Sequence, residues 1–172
     1  MTLTCIRLAC ALCLAGAPLF AAANENTGIA NAAIDMRTFL RVSTDAALHR
    51  DTRRLSEREF IRMSREPGTV VLDARSRERY DELHIKGALN LSFPDIAVDS
   101  LAQLIPDRNT RILIYCNNNF LNADTAFPAK LPGASLNLST YIALYHYGYR
   151  NLYELGPVID VNRAALDLLS TR

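Results

Sequence analysis

Apolar residues along the chain fall into two kinds of grouping. Short unbroken runs, Thr69-Val-Val-Leu72, Gly87–Leu91, Arg111-Ile-Leu-Ile-Tyr115 and Asn151-Leu-Tyr-Glu-Leu155, read as strands buried on both faces, as in a parallel sheet. Between them the apolar positions take helical spacing. Ser56 and Glu59 make a capping-box pattern ahead of Phe60, Ile61 and Met63, Leu55 can staple the start, and Pro67-Gly68 ends the helix. Arg77–Leu83, led by Ser76, reads as a second helix, Phe93–Leu104 as a turn plus helix, and Pro106-Asp107 as a turn. Asn137–Tyr147, with Leu138, Ile142 and Tyr145 near one face, is a further helix stopped by Gly148. Gly156-Pro157 is a turn, and Asn162 is expected to cap a last helix through Leu169. Strands that alternate with helices predict an α/β fold with a mainly parallel sheet.

The front of the chain has another character. Met1–Arg7 carries one positive charge, Leu8–Phe20 is apolar, and Ala21-Ala22-Ala23 precedes Asn24. This is the pattern of a secretory signal peptide over residues 1–23, with an apolar part too short for a membrane span. It predicts a secreted, periplasmic protein with no membrane attachment after cleavage. Residues 24–54 read as an N-terminal extension. Asp35, Met36, Phe39, Leu40 and Val42 suggest a short helix with Phe39 and Leu40 docking on the body, and Asp45–Arg54 a solvated connector. The globular domain is expected over 55–172.

Charge and cysteine content sharpen this picture. Of 172 residues 49% are hydrophobic, and the formal net charge is +1; loss of Arg7 leaves the mature chain neutral, without the footprint of a nucleic-acid-binding or membrane-surface protein. Cys5, Cys10 and Cys13 leave with the signal, so Cys116 remains alone. A lone cysteine in a secreted chain is a free reactive thiol, half of an intermolecular bridge, or a small buried hydrophobe. Cys116 stands just after the Arg111–Tyr115 strand, where open α/β sheets place their chemistry, and is therefore the candidate nucleophile. His49 and His146 have no partners at ligand spacing, so neither metal nor cofactor is expected. The tyrosines at 141, 145, 147 and 149 read as core and helix surface. Asn90-Leu-Ser92 and Asn137-Leu-Ser139 match glycosylation sequons, relevant only in a eukaryotic secretory route.

Four motifs in order carry a family resemblance. Val70-Val-Leu-Asp73-Ala-Arg75 is followed by Tyr80, then by His84-Ile-Lys-Gly87-Ala88-Leu-Asn90. Ile112-Leu-Ile-Tyr-Cys116 and Gly148-Tyr-Arg-Asn-Leu-Tyr-Glu-Leu155 complete the series. Over about Leu55 to Asp160 the chain resembles the rhodanese-like (sulfurtransferase) family. The run Tyr-Cys-Asn-Asn-Asn-Phe is similar to that of a secreted subgroup. The resemblance implies a three-layer α/β/α sandwich of about five mainly parallel strands. It implies a sulfane sulfur moved from a donor such as thiosulfate, through a persulfide on Cys116, to a thiophilic acceptor such as cyanide, a thiol or a protein thiol. It also implies that Asn117, Asn118, Asn119, Phe120, Leu121 and Asn122 form a cradle of backbone N–H groups that favours sulfur anions.

Departures from the family pattern are equally visible. Its loop commonly holds glycine and often an arginine near its end, whereas residues 117–122 have neither. A proline-bearing insertion of roughly a dozen residues then precedes the next helix, unusual enough to suggest function or covering. Lys130, within it, and Arg75 are the cations to test for compensation, although in the family the aspartate and arginine matching Asp73 and Arg75 are structural partners. The histidine matching His84 orders local backbone there. Two rival functions follow: a weak or inactive rhodanese-fold module that binds protein or acts in thiol redox, and a phosphatase-like enzyme. The second needs an oxyanion-clamping arginine where this chain has Asn122.

Overall fold

The computed structural model describes residues 31–172; the expected signal peptide and residues 24–30 of the extension lie outside the described residues. Contacts divide the chain into two compact units, Met1–Ile34 and Asp35–Arg172. In the first, Asn31–Ile34 is a turn closed by the Ile34 N–H on the Asn31 carbonyl. The second holds the helices and strands described below.

A five-stranded parallel sheet runs β1 (Arg54–Leu55), β7 (Leu152–Leu155), β5 (Arg111–Tyr115), β2 (Thr69–Asp73), β4 (Leu89–Asn90) in that spatial order. The central strand β5 is in register with β2 from Thr69↔Arg111 to Asp73↔Tyr115. Two two-stranded pairs accompany the sheet. β3 (His84–Ile85) runs antiparallel to β9 (Leu168–Leu169), and β6 (Phe120–Leu121) parallel to β8 (Ile159–Asp160).

Side chains alternate across a strand, and the sheet separates two cores accordingly. Val71, Leu113, Tyr115 and Leu155 face α2 (Glu57–Ser64) and the C-terminal residues. Leu72, Ile112, Ile114 and Leu152 face α1 (Met36–Arg50), α4 (Val98–Leu104) and α5 (Leu136–His146). The three-layer sandwich follows from this. The helix starts are built as their sequences predict: Ser56 and Glu59 form a full capping box, and Ser76 caps α3 (Arg77–Glu82). Gly148 stops α5 with a φ of 97°, a conformation that favours glycine.

Several expectations are corrected. α1 is longer than the short helix anticipated and runs to Arg50, so no solvated connector begins at Asp45. Phe39 and Leu40 do not dock: they are 52% and 59% exposed, whereas Val42 and Ala46 are buried. Leu40 points away from the face that carries Val42 and Ala46, whereas Phe39 shares that face but lies a turn nearer the start of the helix. Arg54–Leu55 supplies the edge strand of the sheet, which its two-residue length hid from any periodicity. The last helix expected from Asn162 is absent. The Asp160 carboxylate accepts the Asn162 N–H in a local turn, and Glu57 Oε1 accepts the Ala165 and Leu166 N–H groups. Leu166 and Leu168 instead pack on the α2 face of the sheet.

Candidate active site

β5 ends on Tyr115, and Cys116 continues the alternation of Ile112 and Ile114, so its side chain emerges on the α5 side. It is 1% exposed and is the free cysteine among the described residues. The backbone then turns at once through a single 3₁₀ turn, Asn117–Asn119. Asn119 ties that turn down. Its Oδ1 accepts the Cys116 N–H at 3.0 Å and an Asn137 Nδ2–H at 3.0 Å, and its Nδ2 donates to the Leu155 and Pro157 carbonyls. One buried amide thus joins the ends of β5 and β7 to the first turn of α5.

Within the cradle expected over Asn117–Asn122, part of the backbone bonds within the chain itself. The Asn119 N–H donates to the Cys116 carbonyl and the Phe120 N–H to that of Asn117. Phe120 and Leu121 then pair with β8. Phe120 is core, its ring 4.4 Å from that of Phe127 and edge-on to Tyr115. Asn122 adopts a φ of 64°, which asparagine tolerates. Of these six residues, Asn117, Asn118 and Asn122 have backbone N–H groups without an acceptor among the described residues.

The insertion crosses the carboxyl end of the sheet. Ala126 and Phe127 are buried in the α2-side core, and the segment ends at Ser135, which heads α5 on the other side. Its path is pinned by side chains that donate to its carbonyls: Arg79 to Thr125 at 2.6 Å, Arg75 to Ala126 at 2.7 Å and Asn118 to Lys130 at 2.7 Å. Ser135 Oγ then lies 3.3 Å from Cys116 Sγ.

Neither cation suggested by the sequence serves the sulfur. Arg75 is buried; its guanidinium forks onto the Asp73 carboxylate, with Nη2 at 2.6 Å from Oδ2, donates to the Leu83 and Ala126 carbonyls, and covers the Phe127 ring at 4.0 Å. Asp73 also accepts the Tyr115 hydroxyl at 2.6 Å. Burial, followed by the Asp73 charge, pushes the Tyr115 hydroxyl well above its usual range and keeps it a donor. Asp73 and Arg75 therefore hold structure, as the resemblance implies. Lys130 is exposed, and only its carbonyl is engaged among the described residues. His84 is buried, stacked on Tyr80 at 3.7 Å, with Nδ1 2.7 Å from the Tyr80 carbonyl, and orders that corner.

Ser135 and Asn137 are the site residues that sequence reading missed. The signal available was weak: a serine before the first residue of a helix is ordinarily a cap. A cavity of about 350 Å³ lined by Arg65, Val71, Lys86 and Asp167 lies elsewhere, on the α2 side of the sheet.

The comparisons accord with this geometry. The family model described as "Rhodanese-like domain" matches residues 56–155. The thiosulfate sulfurtransferase PspE of Escherichia coli (strain K12) is 33% identical over 46 residues, 27% of this chain and 43% of that protein, so the match spans less than half of the relative. Among solved structures, a Bacillus halodurans protein aligns over 78% of this chain and 86% of its own, at 20% identity and a TM-score of 0.48. A rhodanese with anions from E. coli aligns over 59% of this chain and 98% of its own, at 20% identity and a TM-score of 0.41. With the family model spanning four of the five sheet strands and the cysteine turn, the chain belongs to the rhodanese-like domain family.

Proposed function

We propose that the chain is exported to the periplasm, loses residues 1–23, and acts there as a sulfurtransferase that carries a sulfane sulfur on Cys116. One observation carries the reading: in a rhodanese-like domain, a buried free cysteine ends the central strand with its sulfur against a hydroxyl. The similarity to a thiosulfate sulfurtransferase supports it. The Cys116 thiolate attacks the outer sulfur of thiosulfate; a new S–S bond forms as the donor's own breaks, and sulfite leaves with the electron pair. Cyanide or a thiolate then attacks the terminal sulfur of the persulfide and returns Cys116 as thiolate. Each half is a displacement at sulfur in which electrons balance between donor and acceptor.

Incubation of the folded mature chain with thiosulfate should add one sulfur, about 32 Da, at Cys116, released by cyanide and absent in Cys116→Ser. No adduct under non-denaturing conditions would overturn the reading. Export is checked by the N-terminus of the protein recovered from a periplasmic fraction, expected at Asn24.

The buried, cation-poor sulfur favours a second reading, a catalytically weak module that binds a partner or acts in thiol redox. A partner captured equally by Cys116→Ser but lost on deletion of residues 123–133 would select it.

A further inference from the structure

α5, eleven residues long, begins with an unused cap. Ser135 occupies the N-cap position, where a serine hydroxyl ordinarily accepts an N–H of the first turn. It makes no such bond. Its Oγ turns instead to Cys116 Sγ at 3.3 Å, its one side-chain partner among the described residues, and both residues are buried.

Some of the donors a sulfur anion would otherwise draw on are committed elsewhere, and the Asn117 and Asn118 backbone N–H groups stay without an acceptor among the described residues. The Cys116, Asn119 and Phe120 N–H groups bond within the turn. Arg75 is consumed by Asp73 and two carbonyls, and the Lys130 side chain makes no contact with Cys116. On the turn and on α5, Asn117 Oδ1, Asn118 Oδ1, Asn137 Oδ1 and Thr140 Oγ1 are buried without a partner among the described residues. Asn137 and Thr140 stand three apart on the buried face of α5. The Asn137 amide is oriented by its bond to Asn119 Oδ1, so its free atom is an acceptor by geometry.

We propose that Ser135 is the hydrogen-bond donor that holds the Cys116 sulfur as an anion, first as thiolate and then as persulfide. A thiolate has no proton, so in this pair the hydroxyl must donate. The start of α5 adds the positive end of the helix beside it. The insertion thereby acquires a role beyond covering: its 3₁₀ turn Pro132–Ala134 delivers Ser135 to the sulfur from nineteen residues downstream. This rests on Cys116 being the reacting sulfur.

The test follows thiolate absorbance of the folded mature chain against pH, with Cys116→Ser as the blank, in Ser135→Ala, Ser135→Thr and Ser135→Asp. In Ser135→Ala the titration should move to higher pH by roughly one unit, so that thiolate at the wild-type midpoint falls about fivefold. Ser135→Thr keeps the hydroxyl and should titrate as wild type. Aspartate is an excellent N-cap but repels a thiolate, so Ser135→Asp should titrate higher still; a merely structural cap would be restored by it. An unshifted Ser135→Ala, or a Ser135→Asp that titrates as wild type, would overturn the proposal. If the alanine variant does not fold, the threonine and aspartate pair decides alone. The titration needs no turnover, so its outcome is separable from sulfur uptake. A wild-type chain that shows Ser135-dependent ionisation yet takes no sulfur from thiosulfate sinks only the transferase reading. Normal uptake in Ser135→Ala with an unshifted titration sinks only this one.

Discussion

At the scale of single residues, the contrast between Arg75 and Ser135 is instructive. Both follow strands or precede helices near Cys116, and charge alone would favour Arg75 as the sulfur's partner. Its guanidinium is planar and offers five donors in a fixed fork, and the structure uses that fork on Asp73, Leu83 and Ala126 together. Asp73, for its part, is completely buried between Arg75 and the Tyr115 hydroxyl. Removing one partner strands the other's charge. Arg75→Met is expected to cost about 3–5 kcal/mol, read from the urea midpoint, because desolvation of Asp73 is then uncompensated. Arg75→Lys should recover less than half of that, since an ammonium cannot reach the carboxylate and both carbonyls at once.

At the scale of elements, α1 and the insertion are the parts the family pattern left unexplained. α1 sits on α5 and the sheet through Ala46 and Val42, with His49 Nδ1 2.7 Å from the Tyr141 hydroxyl. Arg50 forms an ion pair with the buried Glu154, which also pairs with Arg54 at 3.1 Å. The helix therefore neutralises a carboxylate that β7 carries into the core. Its first turns, with Met36, Phe39 and Leu40, are exposed. Phe39→Lys should change stability by no more than about 0.5 kcal/mol, whereas Ala46→Leu, at a fully buried contact, should cost about 1–3 kcal/mol by overpacking. Paired thermal melts of the two variants check which positions of α1 are packed.

At the scale of the whole molecule, stability should fall on the acid side in two stages. His49 is held below its ordinary range, first by burial and then by the Arg53 and Arg150 charges. The folded state thus prefers the neutral ring, so its contribution is present above about pH 6.5 and is lost as pH falls below it. The carboxyls of Asp35, Glu59, Asp81 and Asp160 are also held low. The leading causes are hydrogen bonds from the Thr38 backbone, the Ser56 side chain, Arg77 and the Asn122 side chain respectively. Their contribution is present above about pH 4 and is lost as pH falls through that range. Thermal midpoints measured from pH 7 to pH 3 should therefore decline first gently and then more steeply. His49→Gln should flatten only the upper stage.

The amino-acid sequence by itself determined everything that depends on short-range pattern. The apolar runs marked β2, β5 and β7, Ser56 with Glu59 fixed the start of α2, and four ordered motifs pointed to the family and to Cys116. These are legible because a strand buried on both faces, a capping box and a φ-positive glycine each need particular residue types within a few positions. Only the tertiary structure decided which groups meet across long separations. Phe120 entered the core because Phe127 was there to pack on it. Residues 162–169 took turns and a short strand in place of a helix because β3 and Glu57 offered partners that an isolated helix would have lacked. Ser135 came to the sulfur because Arg75, Arg79 and Asn118 hold the insertion across the end of the sheet. No periodicity records such meetings, since each rests on a carbonyl or a ring supplied by a distant part of the chain.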